Sequence, residues 1–131
     1  MRFHHIGIAV KDLESAVDFL RKLNESGGFD VEIMGNVHDE LQNVELYFVH
    51  LGGILLELVS GVKVKSLIDK NIGLYHICYE VVDIESAIEE FMEKGCIAVD
   101  LPKPAKAFGG RRVAFLMTPL NFMIELLEAQ K

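Results

Sequence analysis

The sequence predicts an α+β fold built from two tandem βαβββ modules. Residues 5–17 and 76–88 align at a constant offset of 71 residues, and seven of these thirteen pairs are identical. A second similarity, between residues 56–59 and 124–127, closes each half. Strand-like and helix-like patterns follow in the same order in both halves. Such self-similarity at a fixed spacing indicates a duplicated structural unit.

The first module is predicted to begin with a strand over residues 3–10 and to continue with a helix that Asp12 caps. This helix ends before Gly27, and its apolar face consists of Leu13, Ala16, Val17, Leu20 and Leu23. Three strands follow, over residues 30–35, 43–50 and 54–60. Gly52 and Gly53 are the predicted hairpin turn between the last two strands.

The second module repeats this order, with a strand over residues 75–82 and a helix that Asp83 caps and Gly95 ends. The helix stripe consists of Ile84, Ala87, Ile88, Phe91 and Met92. The later strands are predicted near residues 96–101, 111–117 and 121–127. The whole chain, 1–131, is predicted to form a single domain. Module 1 covers residues 1–62, a linker covers 63–73, and module 2 covers 74–131. The linker is expected to contain a short helix over residues 65–70.

Composition and charge indicate a small-molecule protein of the cytoplasm. Half of the 131 residues are hydrophobic and a quarter are charged, as in soluble globular domains. The net charge of −7 argues against a nucleic-acid or anionic-membrane surface. The apolar runs are strand-sized, no signal peptide precedes the first strand, and Cys78 and Cys96 do not form a disulfide framework. We therefore expect a cytoplasmic protein without nucleic-acid or membrane partners.

Two histidines and two glutamates are the candidate metal ligands. His5 shares a strand face with Gly7 and Ala9, and His76 lies at the equivalent point of the second module. Glu57 and Glu125 each stand inside an apolar strand, where a carboxylate is costly to bury unless a cation compensates its charge. Taken singly, a structural histidine and a solvent-facing edge glutamate remain the ordinary alternatives. Their recurrence in both modules favours a shell for a divalent first-row metal.

The motifs around these residues resemble the vicinal oxygen chelate (glyoxalase/bleomycin resistance/dioxygenase) superfamily over essentially the whole chain. They are similar to methylmalonyl-CoA epimerases at residues 73–81 and 109–116, and the opening strand at residues 4–10 matches the family pattern. The resemblance implies a cupped mixed sheet around a metal site and a homodimer. It assigns His5 (rather than His4), Glu57, His76 and Glu125 as ligands of a divalent metal, which would be Ni, Co, Zn or Mn.

The resemblance also implies an activity, namely epimerase-like proton transfer next to a carbonyl through a metal-bound enolate. Glu125 and Glu57 are then candidate bases, and Glu45 is the nearest match to a further epimerase glutamate. The same ligand set is that of bacterial glyoxalase I, the lactoylglutathione lyase, which acts on a thiol–methylglyoxal hemithioacetal. The turn at residues 118–121 departs from the usual glyoxalase pattern. A metal-free antibiotic-binding protein and a ring-cleaving dioxygenase are the alternatives from other classes.

A basic segment is the candidate substrate-binding element. Residues 103–112 hold four of the thirteen basic residues and no acidic one. On an acidic protein, Lys103, Lys106 and Arg111 could form a mobile loop that draws an anionic thioester or thiol adduct toward the metal. A solvated basic loop without that role is the alternative.

Overall fold

The computed structural model describes residues 1–25 and 27–130 and divides the chain into two compact units. One unit is His5–Tyr75, and the other consists of Met1–His4 and His76–Lys131, of which Lys131 lies outside the described residues. The predicted second-module range of 74–131 ends on that same residue. The single-domain interpretation of 1–131 stays a prediction.

The first unit has the predicted βαβββ order. Its elements are β1 (Arg2–Ala9, which starts in the other unit), α1 (Leu13–Glu25), β2 (Val31–Asp39), β3 (Val44–Leu51), β4 (Ile54–Ser60), a 3-10 turn (Val62–Val64) and α2 (Lys65–Asp69). The strands lie in the order β2-β3-β4-β1, with β4 and β1 parallel and the other pairs antiparallel. Leu13 and Leu20 of α1 pack against Val49 and Leu58, so α1 covers one face of these strands.

The second unit repeats this arrangement. Its elements are β5 (Leu74–Val81, which starts in the other unit), α3 (Ile84–Glu93), β6 (Ile97–Pro104), a 3-10 turn (Lys106–Phe108), β7 (Arg112–Met117) and β8 (Met123–Glu128). The strand order is β5-β8-β7-β6, with β5 and β8 parallel. Ile84 and Ile88 of α3 pack against Leu116 and Leu126. The predicted α+β class, with two βαβββ modules, is confirmed.

Both predicted helix caps are confirmed. Asp12 accepts hydrogen bonds from the backbone N–H of Glu14 at 3.1 Å and from the hydroxyl of Ser15 at 2.8 Å. Asp83 accepts one from the backbone N–H of Ser86 at 3.0 Å. The bonds from Glu14 and Ser86 satisfy backbone donors that the first turn of a helix leaves without a helical partner. Each cap fixes where the chain leaves the strand that carries a candidate histidine.

Two strands are longer than the sequence predicted. β2 extends beyond residue 35 to Asp39, and β6 extends beyond residue 101 to Pro104. Each strand continues beyond a shift in its pairing register, because its neighbour, β3 or β7, supplies pairing partners on both sides of that shift. β6 is the edge strand of its unit and contains Pro102 and Pro104. Within the described residues, no helix has the length and apolar character needed to span a membrane.

Candidate metal centre

The first candidate ligand pair, His5 and Glu57, lies on neighbouring parallel strands. The register pairs Gly7 of β1 with Glu57 of β4, and His5 precedes Gly7 by two residues. Alternation therefore places His5 and Glu57 on the face that α1 does not cover. His5 is fully buried and Glu57 is 5% exposed. The Nε2 atom of His5 lies 3.6 Å from Oε2 of Glu57.

The second candidate pair, His76 and Glu125, repeats this geometry. The register pairs Cys78 of β5 with Glu125 of β8, and His76 again precedes the paired residue by two positions. His76 is fully buried and Glu125 is 3% exposed. Nε2 of His76 lies 3.1 Å from Oε1 of Glu125. The same strand relationship thus produces a buried imidazole–carboxylate pair in each unit.

The chemistry of these donors fits a divalent metal ion. An imidazole nitrogen and a carboxylate oxygen both suit first-row divalent ions. A carboxylate withdrawn from water is costly unless a positive charge, such as that of a metal ion, lies beside it. His5, Glu57, His76 and Glu125 are therefore potential metal ligands. The predicted solvent-facing alternative for the two glutamates is wrong, because both are buried.

An aromatic ring packs beside each candidate histidine. The rings of His5 and Phe48 meet edge to face with centroids 6.0 Å apart, and those of His76 and Phe115 do so at 5.3 Å. Neither phenylalanine was among the residues that the sequence predicted for the site. The repeat nevertheless indicated them, because Phe48 precedes Glu57 by nine residues and Phe115 precedes Glu125 by ten.

Glu45, the third candidate base, lies on a different face from Glu57. The regular β3–β4 register pairs Phe48 with Glu57 and Glu45 with Ser60, so Glu45 and Glu57 point to opposite faces. Glu45 is exposed, and its Oε1 lies 3.5 Å from Nδ1 of His38. This pair forms across β2 and β3, where His38 and Glu45 are register partners. His38 is exposed, and His50 is half-buried.

The three predicted substrate-binding cations lie in different secondary-structure elements. Lys103 lies in β6, Lys106 opens the 3-10 turn, and Arg111 lies just before β7. Arg111 donates hydrogen bonds to Glu80 at 2.8 Å and to the carbonyl oxygens of Phe108 and Glu128. The bond from Arg111, followed by the charge of Arg2, holds the pKa of Glu80 below its usual range. The Glu80 partner escaped the sequence interpretation, because it lies 31 residues from Arg111.

Comparison of the whole sequence with known proteins gives a consistent result. The family model of the Glyoxalase/Bleomycin resistance protein/Dioxygenase superfamily matches residues 4–115. The ethylmalonyl-CoA/methylmalonyl-CoA epimerase of Cereibacter sphaeroides is 31% identical, over 99% of this chain and 97% of that protein. The mitochondrial methylmalonyl-CoA epimerase of Dictyostelium discoideum is 26% identical, over 88% of this chain and 69% of its own length.

Solved structures share the fold. A hypothetical protein of Bacillus halodurans superimposes with a TM-score of 0.79 at 25% identity, covering 99% of this chain and 95% of that one. The methylmalonyl-CoA epimerase of Mycobacterium tuberculosis gives 0.75 at 18% identity, covering 99% and 89% of the two chains. The Mn(II)-bound glyoxalase of Novosphingobium aromaticivorans gives 0.64 at 12% identity, covering 97% of this chain and 38% of that one.

Proposed function

Because this chain belongs to the Glyoxalase/Bleomycin resistance protein/Dioxygenase superfamily, we propose that it is a metal-dependent epimerase. Its reaction is proton transfer at the carbon next to the carbonyl of an acyl-CoA thioester of the methylmalonyl-CoA type. The observation that carries this proposal is the buried histidine–glutamate pair that recurs in both modules. Full-length similarity to a protein named ethylmalonyl-CoA/methylmalonyl-CoA epimerase supports the substrate class.

The proposed metal ligands are His5, Glu57, His76 and Glu125, acting together on one ion. Either pair alone offers two donors, fewer than the three or four protein ligands that zinc sites use. Two equivalent pairs supply four donors and leave coordination positions for a substrate. The proposed ion is Ni, Co, Zn or Mn in the divalent state. When bound, it would polarise the substrate carbonyl as a Lewis acid and make the neighbouring C–H more acidic.

The proton-transfer role falls to the glutamates of the pairs. A carboxylate has two oxygens, so a glutamate that binds an ion through one can accept a proton through the other. Glu125 and Glu57 are the proposed bases, since both are buried on the strand face that carries the histidines. Burial keeps bulk water away from the reacting carbon, so that the two carboxylates rather than water carry the proton from and to it.

The proposed substrate is anionic. Lys103, Lys106 and Arg111 are proposed to attract its carboxylate or phosphate groups to a protein whose overall net charge is −7. Arg111 already donates to Glu80, so its charge is partly compensated. Lys103 and Lys106 are therefore expected to make the larger contribution to substrate attraction.

The protein is also proposed to form a homodimer, as the resemblance to the family implies.

The second candidate is glyoxalase I activity on a thiol–methylglyoxal hemithioacetal. It is favoured by the donor set of two histidines and two glutamates, which that enzyme also uses. Its elementary step is the same removal of a proton beside a carbonyl. A metal-free antibiotic-binding role has less support, because it requires no buried carboxylate beside either histidine.

One experiment separates these functions. Protein stripped with a chelator and reloaded with Co(II) is incubated in D₂O with methylmalonyl-CoA, and separately with the hemithioacetal. We expect deuterium to enter the α-carbon of the thioester only in the reloaded protein. Isomerisation of the hemithioacetal without thioester exchange would establish the second candidate. Turnover by the stripped protein would remove the metal from the proposal.

A further inference from the structure

Each candidate histidine packs against a phenylalanine of its own module, and the two phenylalanines occupy equivalent places. Phe48 meets the ring of His5 with an interplanar angle of 84°, and Phe115 meets that of His76 at 65°. Both contacts are edge to face, the arrangement that aromatic quadrupoles favour. Neither phenylalanine belongs to the proposed ligand set.

The strand register ties these rings to the glutamates as well. Phe48 of β3 lies directly opposite Glu57 of β4, and Phe115 of β7 lies directly opposite Glu125 of β8. Residues opposite each other in an antiparallel pair point to the same face. Each module therefore contains a His–Glu–Phe triangle in which the phenylalanine touches the histidine and stands beside the glutamate. The spacing from phenylalanine to glutamate differs by one residue between modules, yet the triangle recurs.

The physical consequence concerns the direction of the imidazole. A buried histidine can turn about its Cβ–Cγ bond and present different ring edges, and only a fixed orientation presents Nε2 to an ion. Outer groups that lock this rotation are a common part of metal sites. A rigid ring packed on the imidazole restricts the rotation, and its bulk also keeps water from the carboxylate opposite it.

We propose that Phe48 and Phe115 are positioning residues that hold the imidazoles of His5 and His76 with Nε2 turned toward Glu57 and Glu125. Each pair is then organised before an ion arrives. The inference rests on the proposed function, since it concerns the affinity of the same four ligands. Phe115 is 3% exposed, and Phe48 is half-buried.

The test replaces each ring by leucine, which keeps an apolar side chain of similar bulk but loses the flat edge. Matched controls are Tyr47→Leu and Phe91→Leu, two half-buried aromatic residues that pack against the helix-covered cores. The measurements are Co(II) affinity by chelator competition, the visible spectrum of the Co(II) protein, and the Tm of the metal-free protein. Should Phe115→Leu fail to fold, Phe115→Met is the replacement variant.

We expect Phe48→Leu and Phe115→Leu each to lower Co(II) affinity by about 10-fold to 100-fold, the usual effect of removing an outer support. Their spectra should also change, while the controls lower Tm and leave affinity and spectrum alone. Unchanged affinity in both variants, or an equal loss in Tyr47→Leu, would overturn the positioning role while leaving the metal site intact. If the unaltered protein binds no Co(II), the proposed function fails, and the positioning role fails with it.

Discussion

The Nη1 atom of Arg111 lies 2.8 Å from Oε2 of Glu80, joining the segment that follows β6 to β5. Glu80 also accepts a hydrogen bond from Arg2 at 2.8 Å. Its side chain is 15% exposed, whereas that of Arg2 is 79% exposed. The Arg111 bond is therefore the one less screened by water, and it holds residues 105–111 against the strand that carries His76.

This pair predicts a pH dependence of stability. The pKa of Glu80 is lowered in the folded protein, chiefly by the hydrogen bond from Arg111. The stabilisation is therefore complete above the ordinary value of 4.5 and is lost as the pH falls through the lower folded value. We expect Glu80→Gln to lower the free energy of unfolding by about 1 kcal/mol at neutral pH.

Urea unfolding at neutral pH and at successively lower pH values checks this expectation. The difference between Glu80→Gln and the unaltered protein should shrink as acid protonates Glu80. Glu89→Gln, an exposed change on α3, is the control and should track the unaltered protein throughout. A difference that stays constant down to the lowest pH would mean that Glu80 is not stabilised by its charge.

Loss of one histidine from either pair should weaken metal binding strongly. We expect His5→Ala and His76→Ala each to lower Co(II) affinity by more than about 100-fold, because a direct ligand matters more than an outer support. Saturating Co(II) at about 100 times its Kd should stabilise the unaltered protein by about 2.7 kcal/mol and either variant by less than about 0.4 kcal/mol. Thermal unfolding with and without Co(II) measures this, with the exposed His38→Ala as control. A full response in either variant would exclude that histidine as a ligand.

The basic segment should affect substrate capture rather than chemistry. The variant Lys103→Ala/Lys106→Ala/Arg111→Ala is expected to raise KM by about 10-fold at low ionic strength, the lower end of electrostatic steering effects. Added salt screens such attraction, so the difference should narrow as salt increases. The control variant Lys22→Ala/Lys70→Ala/Lys94→Ala removes three exposed positive charges elsewhere. Equal KM values for the two variants at low salt would remove the segment from the substrate site.

The role of Glu45 is decided by one substitution. If Glu45 is a base, Glu45→Gln should abolish α-proton exchange and retain the metal. Because the β3–β4 register directs Glu45 to the face opposite Glu57, we expect exchange within about twofold of the unaltered rate, the change of a surface substitution. Solvent deuterium incorporation measures this directly. Loss of exchange with full Co(II) binding would restore Glu45 as a base.

Local patterns were sufficient to predict most of the fold. Asp12 and Asp83 cap their helices because a short carboxylate before an apolar stripe satisfies first-turn amides. Gly52 and Gly53 form the hairpin turn because both adopt positive φ, 56° and 85°. The lengths of β2 and β6 escaped prediction, because their outer ends depend on pairing partners in other strands rather than on their own residues.

The candidate site, like the fold, was only partly predictable from the sequence. Strand alternation and the repeat were enough to select His5 and Glu57, since a buried charge in an apolar strand is visible in the sequence itself. The partners of Arg111 and His38 were not predictable from spacing, because cross-strand neighbours can be any distance apart in sequence. Phe48 and Phe115 were overlooked for another reason, namely that an apolar residue in a strand ordinarily signals core packing.

Strand β6 leaves one backbone edge of its unit open, and it exposes Ile97, Val99 and Leu101. An open edge of this kind can pair with a strand of another molecule, which promotes fibrous aggregation. Pro102 and Pro104 counter this, since proline has no N–H to offer to an incoming chain. Replacing both prolines would therefore promote aggregation of the protein at high concentration before it altered any catalytic property.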